Sequence, residues 1–245
     1  MPAAYIGTSG YVYNHWRSVF YPEGLPAGRW FEFYCRHFRT VEINNSFYRL
    51  PERSTFENWK KVSPRGFVFT VKVSRYITHM KKLKEPEKPL ERFLGNASGL
   101  GKKLGPLLFQ LPPNFKPNVE RLKALLALRR RSARWVFEFR NSDWFKDEIL
   151  AALRQAGAGF CVHDITGGCP AIATANFAYL RLHGGETNGG EYSEAVLQRW
   201  AGQINKWLAA GLDAFVYFNN DIHGYAVANA RTLIRMVGAP AAGEA

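Results

Sequence analysis

Hydrophobic and polar positions along this chain fall into two alternating patterns. Eight short runs, AYIGTSG, TVEIN, GFVFTVKV, GPLLFQLP, RWVFEFR, GFCVHD, AYLRLHG and AFVYFNN, are rich in β-branched and aromatic residues and predict strands. Between most of them lie segments with a period near 3.6, at 29–38, 55–62, 90–100, 119–130, 146–155, 193–210 and 226–236, which predict helices. The exception follows GFCVHD, where ITGGCPAIATANF is short and rich in Gly, Pro and small residues, so little or no helix is expected. Strand and helix alternate to the end without a linker or a shift in composition. In a chain of 245 residues this predicts an α/β protein, a single TIM-like (β/α)8 barrel over 1–245, with an irregular connection in place of a full helix after strand six. Tails are expected at about 1–4 and 238–245. A doubly wound open sheet is the alternative.

Within each strand the two faces differ. Side chains alternate between the helix layer and the barrel interior, so the large apolar positions are assigned outward and their neighbours inward. The run TVEIN then sends Glu42 and Asn44 inward, and GFVFTVKV sends Thr70 and Lys72. Gln110 comes from the fourth strand, Glu138 and Arg140 from the fifth, Arg181 and His183 from the seventh. The eighth is ambiguous between Tyr217 with Asn219 and Phe218 with Asn220. Barrel interiors are usually filled by branched apolar side chains, and an unpaired charge there is costly. Five charges on one parity therefore mean either a set of mutually neutralising ion pairs or a pocket. Buried pairs stabilise little once desolvation is counted, so a pocket at the carboxyl ends of the strands is the expected use.

Composition changes this picture in two respects. Lys and Arg total 33 against 20 Asp and Glu, a formal net charge of +13, which favours anionic partners, nucleic acid among them. A solvated basic surface would carry the same excess. The three cysteines, Cys35, Cys161 and Cys169, are an odd number without metal-type spacing and suit reduced thiols. The amino terminus lacks the basic and apolar blocks of a secretory signal, and no run approaches membrane-spanning length. A cytoplasmic protein without a membrane or an obligate protein partner is the expectation.

Several longer stretches, IGTSGYVYNHW, VEINNSFYRLP, FVFTVKVSRYITH, LGPLLFQLPPNF, VFEFRNSDWF, YLRLHG and VYFNNDIHGYAVANA, resemble the YecE-like family, also called domain of unknown function 72. The resemblance covers nearly the whole chain. It implies a single TIM-like barrel and no settled activity, with a likeness to metal-using barrel endonucleases that lies at the level of fold. The family's motif residues carry onto Glu42, Asn44, Lys72, Gln110 and Glu138, and further along onto Arg140, Arg181, His183, Asn219 and Asn220.

The simplest ligand for such a pocket is a phosphate or another oxyanion, with Lys72, Arg140, Arg181 and His183 converging and Asn44 and Gln110 as further donors. The loops GGETNGG (184–190) and NNDIHGYA lie where barrels often bind phosphate, and RYITHMKKLKEPEKP adds lysines to the same rim. Tyr11, Tyr13, Trp16, Phe20 and Tyr21 bring rings near the first loop. These suit a base or a sugar, although most are expected to pack the loop. Proton transfer falls to Glu42, Glu138 and His183, which makes hydrolysis of a phosphodiester or glycosidic bond conceivable. Substrate binding is assigned to Asn44, Lys72, Gln110, Arg140, Arg181, Asn219, Asn220, Tyr13 and Trp16. His163, Asp164, His183 and His223 lie near strand ends without the spacing of a metal site, so no metal or cofactor is expected. Ser9 and Cys161 have no base partner in sequence. Two functions follow: an enzyme, hydrolase-like, acting on a phosphorylated, sugar- or nucleotide-containing ligand, and alternatively a non-catalytic binder of nucleic acid or a nucleotide.

Overall fold

The computed structural model describes residues 1–130, 132–185 and 190–237. Eight parallel strands form one sheet: β1 (Ala4–Thr8), β2 (Thr40–Ile43), β3 (Val68–Lys72), β4 (Leu104–Leu111), β5 (Trp135–Phe139), β6 (Gly159–His163), β7 (Phe177–Leu182) and β8 (Asp213–Phe218). Their order, β1-β8-β7-β6-β5-β4-β3-β2, places each strand beside its neighbour in sequence and brings the last beside the first. This is the nearly closed TIM-like barrel that the alternation predicts, rather than an open doubly wound sheet.

One seam lacks a ladder. Between β1 and β2 there is only a bridge from Ser9 to Glu42, with Gly10 N–H donating to the Glu42 carbonyl at 2.8 Å. Below it the Tyr34 hydroxyl fills the gap, accepting from Thr8 N–H at 3.1 Å and donating to the Thr40 carbonyl at 3.0 Å. Gly7 permits this closure, because a Cβ there would lie 2.4 Å from the Thr40 carbonyl oxygen.

The helices are α1 (Trp30–Cys35), α2 (Asn45–Tyr48), α3 (Arg53–Val62), α4 (Glu87–Ala97), α5 (Val119–Ala127), α6 (Asp147–Ala156), α7 (Glu194–Ala209) and α8 (Tyr225–Val237). None lies between β6 and β7, as the Gly- and Pro-rich composition there predicts. Two features are new. A one-turn helix, α2, follows β2, and a single π-helical turn, Tyr76–Met80, follows β3. The expected amino-terminal tail is shorter than 1–4, since Ala3 accepts from Ala214 N–H and donates to Asp213 Oδ1, and Ala4 begins β1. The tail at 238–245 and residues 186–189 of the GGETNGG loop lie outside the described residues. Among the described residues no helix is long and apolar enough to cross a membrane.

The core splits as the two strand faces require. Phe69, Val71, Phe137, Phe139, Leu180 and Leu182 belong to a large cluster between sheet and helices. Leu108, Val136, Cys161, Phe177, Tyr179 and Tyr217 form a smaller one inside the barrel. Tyr217 thus faces inward, which settles β8 in favour of Tyr217 with Asn219. The inner cluster is apolar at the bottom and becomes hydroxyl-bearing toward the top, where the Tyr217 hydroxyl meets Thr40 at 2.7 Å and Thr70 at 2.8 Å. Charges begin one layer above.

Candidate functional site

Arg181, at the end of β7, is the hub of that charged layer. It is 1% exposed. One guanidinium nitrogen, Nη2, donates to Glu42 Oε1 at 2.7 Å, and the other, Nη1, to Glu138 Oε2 at 2.6 Å. Nη2 also lies 3.3 Å from Asn219 Oδ1. Each glutamate has further partners. Ser9 Oγ donates to Glu42 Oε1 and the Tyr179 hydroxyl to Oε2 at 2.5 Å, while Arg140 Nε donates to Glu138 Oε1. Both carboxyls are fully buried. Burial, the largest single influence, would raise their pKa values, yet Arg181 together with Ser9 and Tyr179 at Glu42, and with Arg140 and His183 at Glu138, more than offsets it. Both are held below the ordinary carboxylate range, Glu138 well below, so both are ionised. Two buried anions and two arginines thereby neutralise one another.

His183 is oriented by these arginines. Its Nε2 faces Arg140 Nη2 at 2.9 Å and Arg181 Nη1 at 3.2 Å, and a guanidinium can only donate, so Nε2 accepts and the ring proton belongs on Nδ1. Nδ1 points to Asp164 Oδ1 at 3.5 Å. Burial, followed by the field of Arg181, lowers the His183 pKa despite Asp164. The ring is therefore neutral at neutral pH.

Asp164 is a residue that the strand pattern does not single out. It accepts from the backbone N–H groups of His183 at 2.9 Å and Gly185 at 3.1 Å, and from the Tyr192 hydroxyl. Tyr192 is in turn held by Asn229 through two backbone contacts of 3.3 Å. Asn220 belongs to this support rather than to the pocket, a correction to the sequence reading. Its Nδ2 donates to the Gly190 carbonyl at 2.6 Å and to Asn229 Oδ1 at 2.9 Å, away from the mouth, because Asn219 and Asn220 alternate in direction.

Above the hub opens a cavity of about 660 Å³. It brings together Asn44, Lys72, Gln110, Arg140, Arg181 and Asn219, with Tyr13 at one side. Trp16 does not reach it: it is fully buried, donates from Nε1 to the Asp221 carbonyl at 3.1 Å, and packs the first loop onto the end of β8. The cavity also gathers residues absent from the strand-based list, namely Phe47 and Tyr48 of α2, His79 and Met80 of the π-helical turn, and Arg75 just before it. Loops have no two-residue period, so nothing in their spacing could have aimed these side chains.

Lys72 occupies a distinct position in the lining. Its ammonium lies 4.3 Å from the centre of the Phe47 ring, and although the Lys72 carbonyl accepts from Ser46 Oγ at 2.7 Å, the ammonium itself has no ion pair or hydrogen bond among the described residues. Burial, then the nearby Arg181, push its pKa down to about 8 against the pull of Glu138 and Glu42. His79, whose ring centre is 4.9 Å from that of Phe47, is pushed down to about 4 by burial and by Lys72, Arg75 and Arg140. The Asn44 side-chain oxygen is buried without a hydrogen-bond donor. Cys161 is buried with its thiol raised well above the usual range, mainly by desolvation, and the three cysteines are unpaired. Among the described residues no three His, Cys, Asp or Glu side chains are grouped to hold a metal ion.

Comparison with known proteins agrees with the architecture. The family described as "Protein of unknown function DUF72" matches residues 5–244. The UPF0759 protein YunF of Bacillus subtilis is 26% identical over 95% of this chain and 94% of its own length. The UPF0759 protein YecE of Escherichia coli is 33% identical over a shorter stretch, 35% of this chain and 32% of its own. A crystal structure of a DUF72 family protein from Thermotoga maritima superposes with a TM-score of 0.86 at 30% identity, covering 96% of this chain and 99% of the other. One from Enterococcus faecalis, at 19% identity and a TM-score of 0.79, shares the fold.

Proposed function

Because the chain belongs to the DUF72 family of proteins of unknown function, we propose a function from the barrel mouth itself: binding of, and action on, a small anionic ligand that carries hydroxyl groups, of which a phosphorylated sugar is the model. The observation that carries this reading is the charge left over in the cavity. Glu42 and Glu138 are consumed by Arg181 and Arg140, so Lys72 remains without a counter-charge beside a rim that adds Arg75. Asp221, which sits 3.4 Å from His15 Nε2, is the one acid among the described lining residues. A half-buried cation without a partner is costly, and an anion in the mouth would relieve that cost. The unpartnered Asn44 oxygen favours a ligand that also donates a hydrogen bond.

This arrangement supports binding by charge more strongly than hydrolysis by a carboxylate pair. Glu42 and Glu138 lie beneath Arg181 as counter-charges, and the His183 lone pair at Nε2 is taken by arginines, so their proposed role is to set and hold the cationic layer. The test is thermal melting in sulfate, phosphate and glucose 6-phosphate. Wild type should be raised by these anions, and Arg140→Ala should lose most of that rise while still folding, since Glu138 keeps its bond to Arg181. Equal protection of both proteins would sink the reading.

A second reading, non-catalytic binding of nucleic acid, draws on a different observation. Val12, Tyr48, Tyr76, Met80, Ile165 and Ile222 are large apolar side chains exposed on the connections that follow strands at this same end of the barrel, in a chain of net charge +13. Exposed rings on a basic face suit stacked bases. The salt dependence of oligonucleotide binding separates the two readings.

A further inference from the structure

Among the described residues that line the cavity, one has the attributes of a nucleophile, and it is not one of those that sequence reasoning offered for proton transfer. We propose that Lys72 captures the carbonyl group of a phosphorylated sugar or similar anionic carbonyl compound as an imine, so that the mouth works by amine catalysis; this rests on the anion reading above. Three observations place the residue. Lys72 closes β3 and faces inward, so its amine is held at the carboxyl end of the barrel, where the cavity opens. Neither buried glutamate pairs with it, because both are held by arginines, so no carboxylate fixes the amine as an ammonium. The Phe47 ring beneath it excludes water from one side.

The charged groups facing Lys72 come from four elements. Arg181 on β7 and Arg140, just beyond β5, disfavour its proton, and Glu138 on β5 and Glu42 on β2 favour it, with burial and Arg181 prevailing. Arg75 lines the same cavity beside the π-helical turn that carries His79. An amine that loses its proton near pH 8 offers a free lone pair at neutral pH far more often than a surface lysine does.

The step balances without an oxidant or reductant. The Nζ lone pair attacks the carbonyl carbon as the C=O π electrons move to oxygen. Nitrogen gives up a proton and oxygen takes one, forming a carbinolamine. The C–O bond then breaks, water departs with a second proton, and a C=N bond remains. His79, held neutral beside the Phe47 ring, lines the same cavity, and its Nδ1 is engaged with Thr78 Oγ1 at 2.9 Å, so the protons would pass through water or the ligand's own groups. Arg140 and Arg75 would take the phosphate, and the Asn44 oxygen a hydroxyl.

Pyridoxal 5′-phosphate, an anionic aldehyde, is the probe. Full-length protein is incubated with it at pH 7.5, reduced with borohydride, and mapped by peptide mass spectrometry, with the surface lysines as internal controls. Lys72 should be labelled on the order of tenfold or more faster than they are. Inorganic phosphate should suppress that label selectively. Lys72→Arg, which keeps the charge, should lose the adduct yet keep its thermal protection by phosphate. Labelling of Lys72 at the surface rate, with phosphate still protecting the fold, would overturn the imine and leave the anion site standing. Fast labelling of Lys72 that phosphate neither suppresses nor accompanies with protection would uphold the nucleophile and remove the anion site.

Discussion

Lys72 concentrates the tension of the site in one side chain. An ordinary lysine holds its proton up to about pH 10.5, whereas Lys72 in the folded barrel holds it only to about pH 8. Between those values the folded state binds fewer protons than the unfolded chain, so stability rises with pH across that window from this residue. Below pH 8 the charged amine weighs against folding. Lys72→Met should therefore be more stable than wild type at pH 7, and the gap should narrow by pH 10. Urea midpoints at the two pH values measure it, and a gap independent of pH would show that Lys72 is not penalised by its surroundings. The glutamates move stability in the same direction with pH for the opposite reason, because their charged forms are favoured by the fold whereas that of Lys72 is penalised. Their folded pKa values are depressed, so their contribution is present above the ordinary carboxylate range and is lost as acid protonates them.

Among the elements, the seam between β1 and β2 matters most to the site. Ser9, two residues past Gly7, holds Glu42 across that seam, and Glu42 holds Arg181. A methyl group at Gly7 would press on the Thr40 carbonyl at 2.4 Å and on the Tyr34 hydroxyl at 3.1 Å, both of which define the closure. Gly7→Ala is expected to cost about 1–3 kcal/mol through overpacking. It should also reduce anion protection, because shifting β2 moves Glu42 relative to β7. Urea unfolding and melting in sulfate, run on the same variant, test both effects. Lost stability with full sulfate protection would mean that the seam and the site are independent. The helix-free connection from β6 to β7 has a comparable use, since it starts at Asp164 and lets that carboxylate meet the backbone of His183 and Gly185.

At the scale of the whole molecule, the net charge of +13 will attract any polyanion, specific or not. A neutralised phosphate releases counterions, so oligonucleotide binding that rests on surface charge should fall steeply, with most of it lost between about 50 and 200 mM salt. A hydroxylated anion held by hydrogen bonds inside a cavity answers less to screening. We expect glucose 6-phosphate to retain its thermal protection at 200 mM sodium chloride while single-stranded DNA loses its own. The opposite ranking, together with weaker DNA binding in Tyr48→Ala, would favour the exposed rings of the rim as the working surface.

The strand pattern determined much of this molecule by itself. A two-residue period is a local property of extended backbone, so Glu42, Lys72, Glu138 and Arg181 could be aimed inward before any fold was known, and the alternation of strands and helices implied the barrel. Who pairs with whom was decided only in three dimensions. Arg181 and Glu42 are 139 residues apart, and their contact depends on how strands close around a circle. On β8 both alternating faces are aromatic and then amide, so parity had no contrast to read until Tyr217 was paired beside Arg181. Arg75, His79, Asp164 and Tyr192 stand on connections whose direction comes from tertiary packing, and Trp16 and Asn220 were drawn by that packing into support. Residue type and period thus settled which charges enter the barrel, whereas distance across it settled which of them are neutralised and which one, Lys72, is left uncompensated.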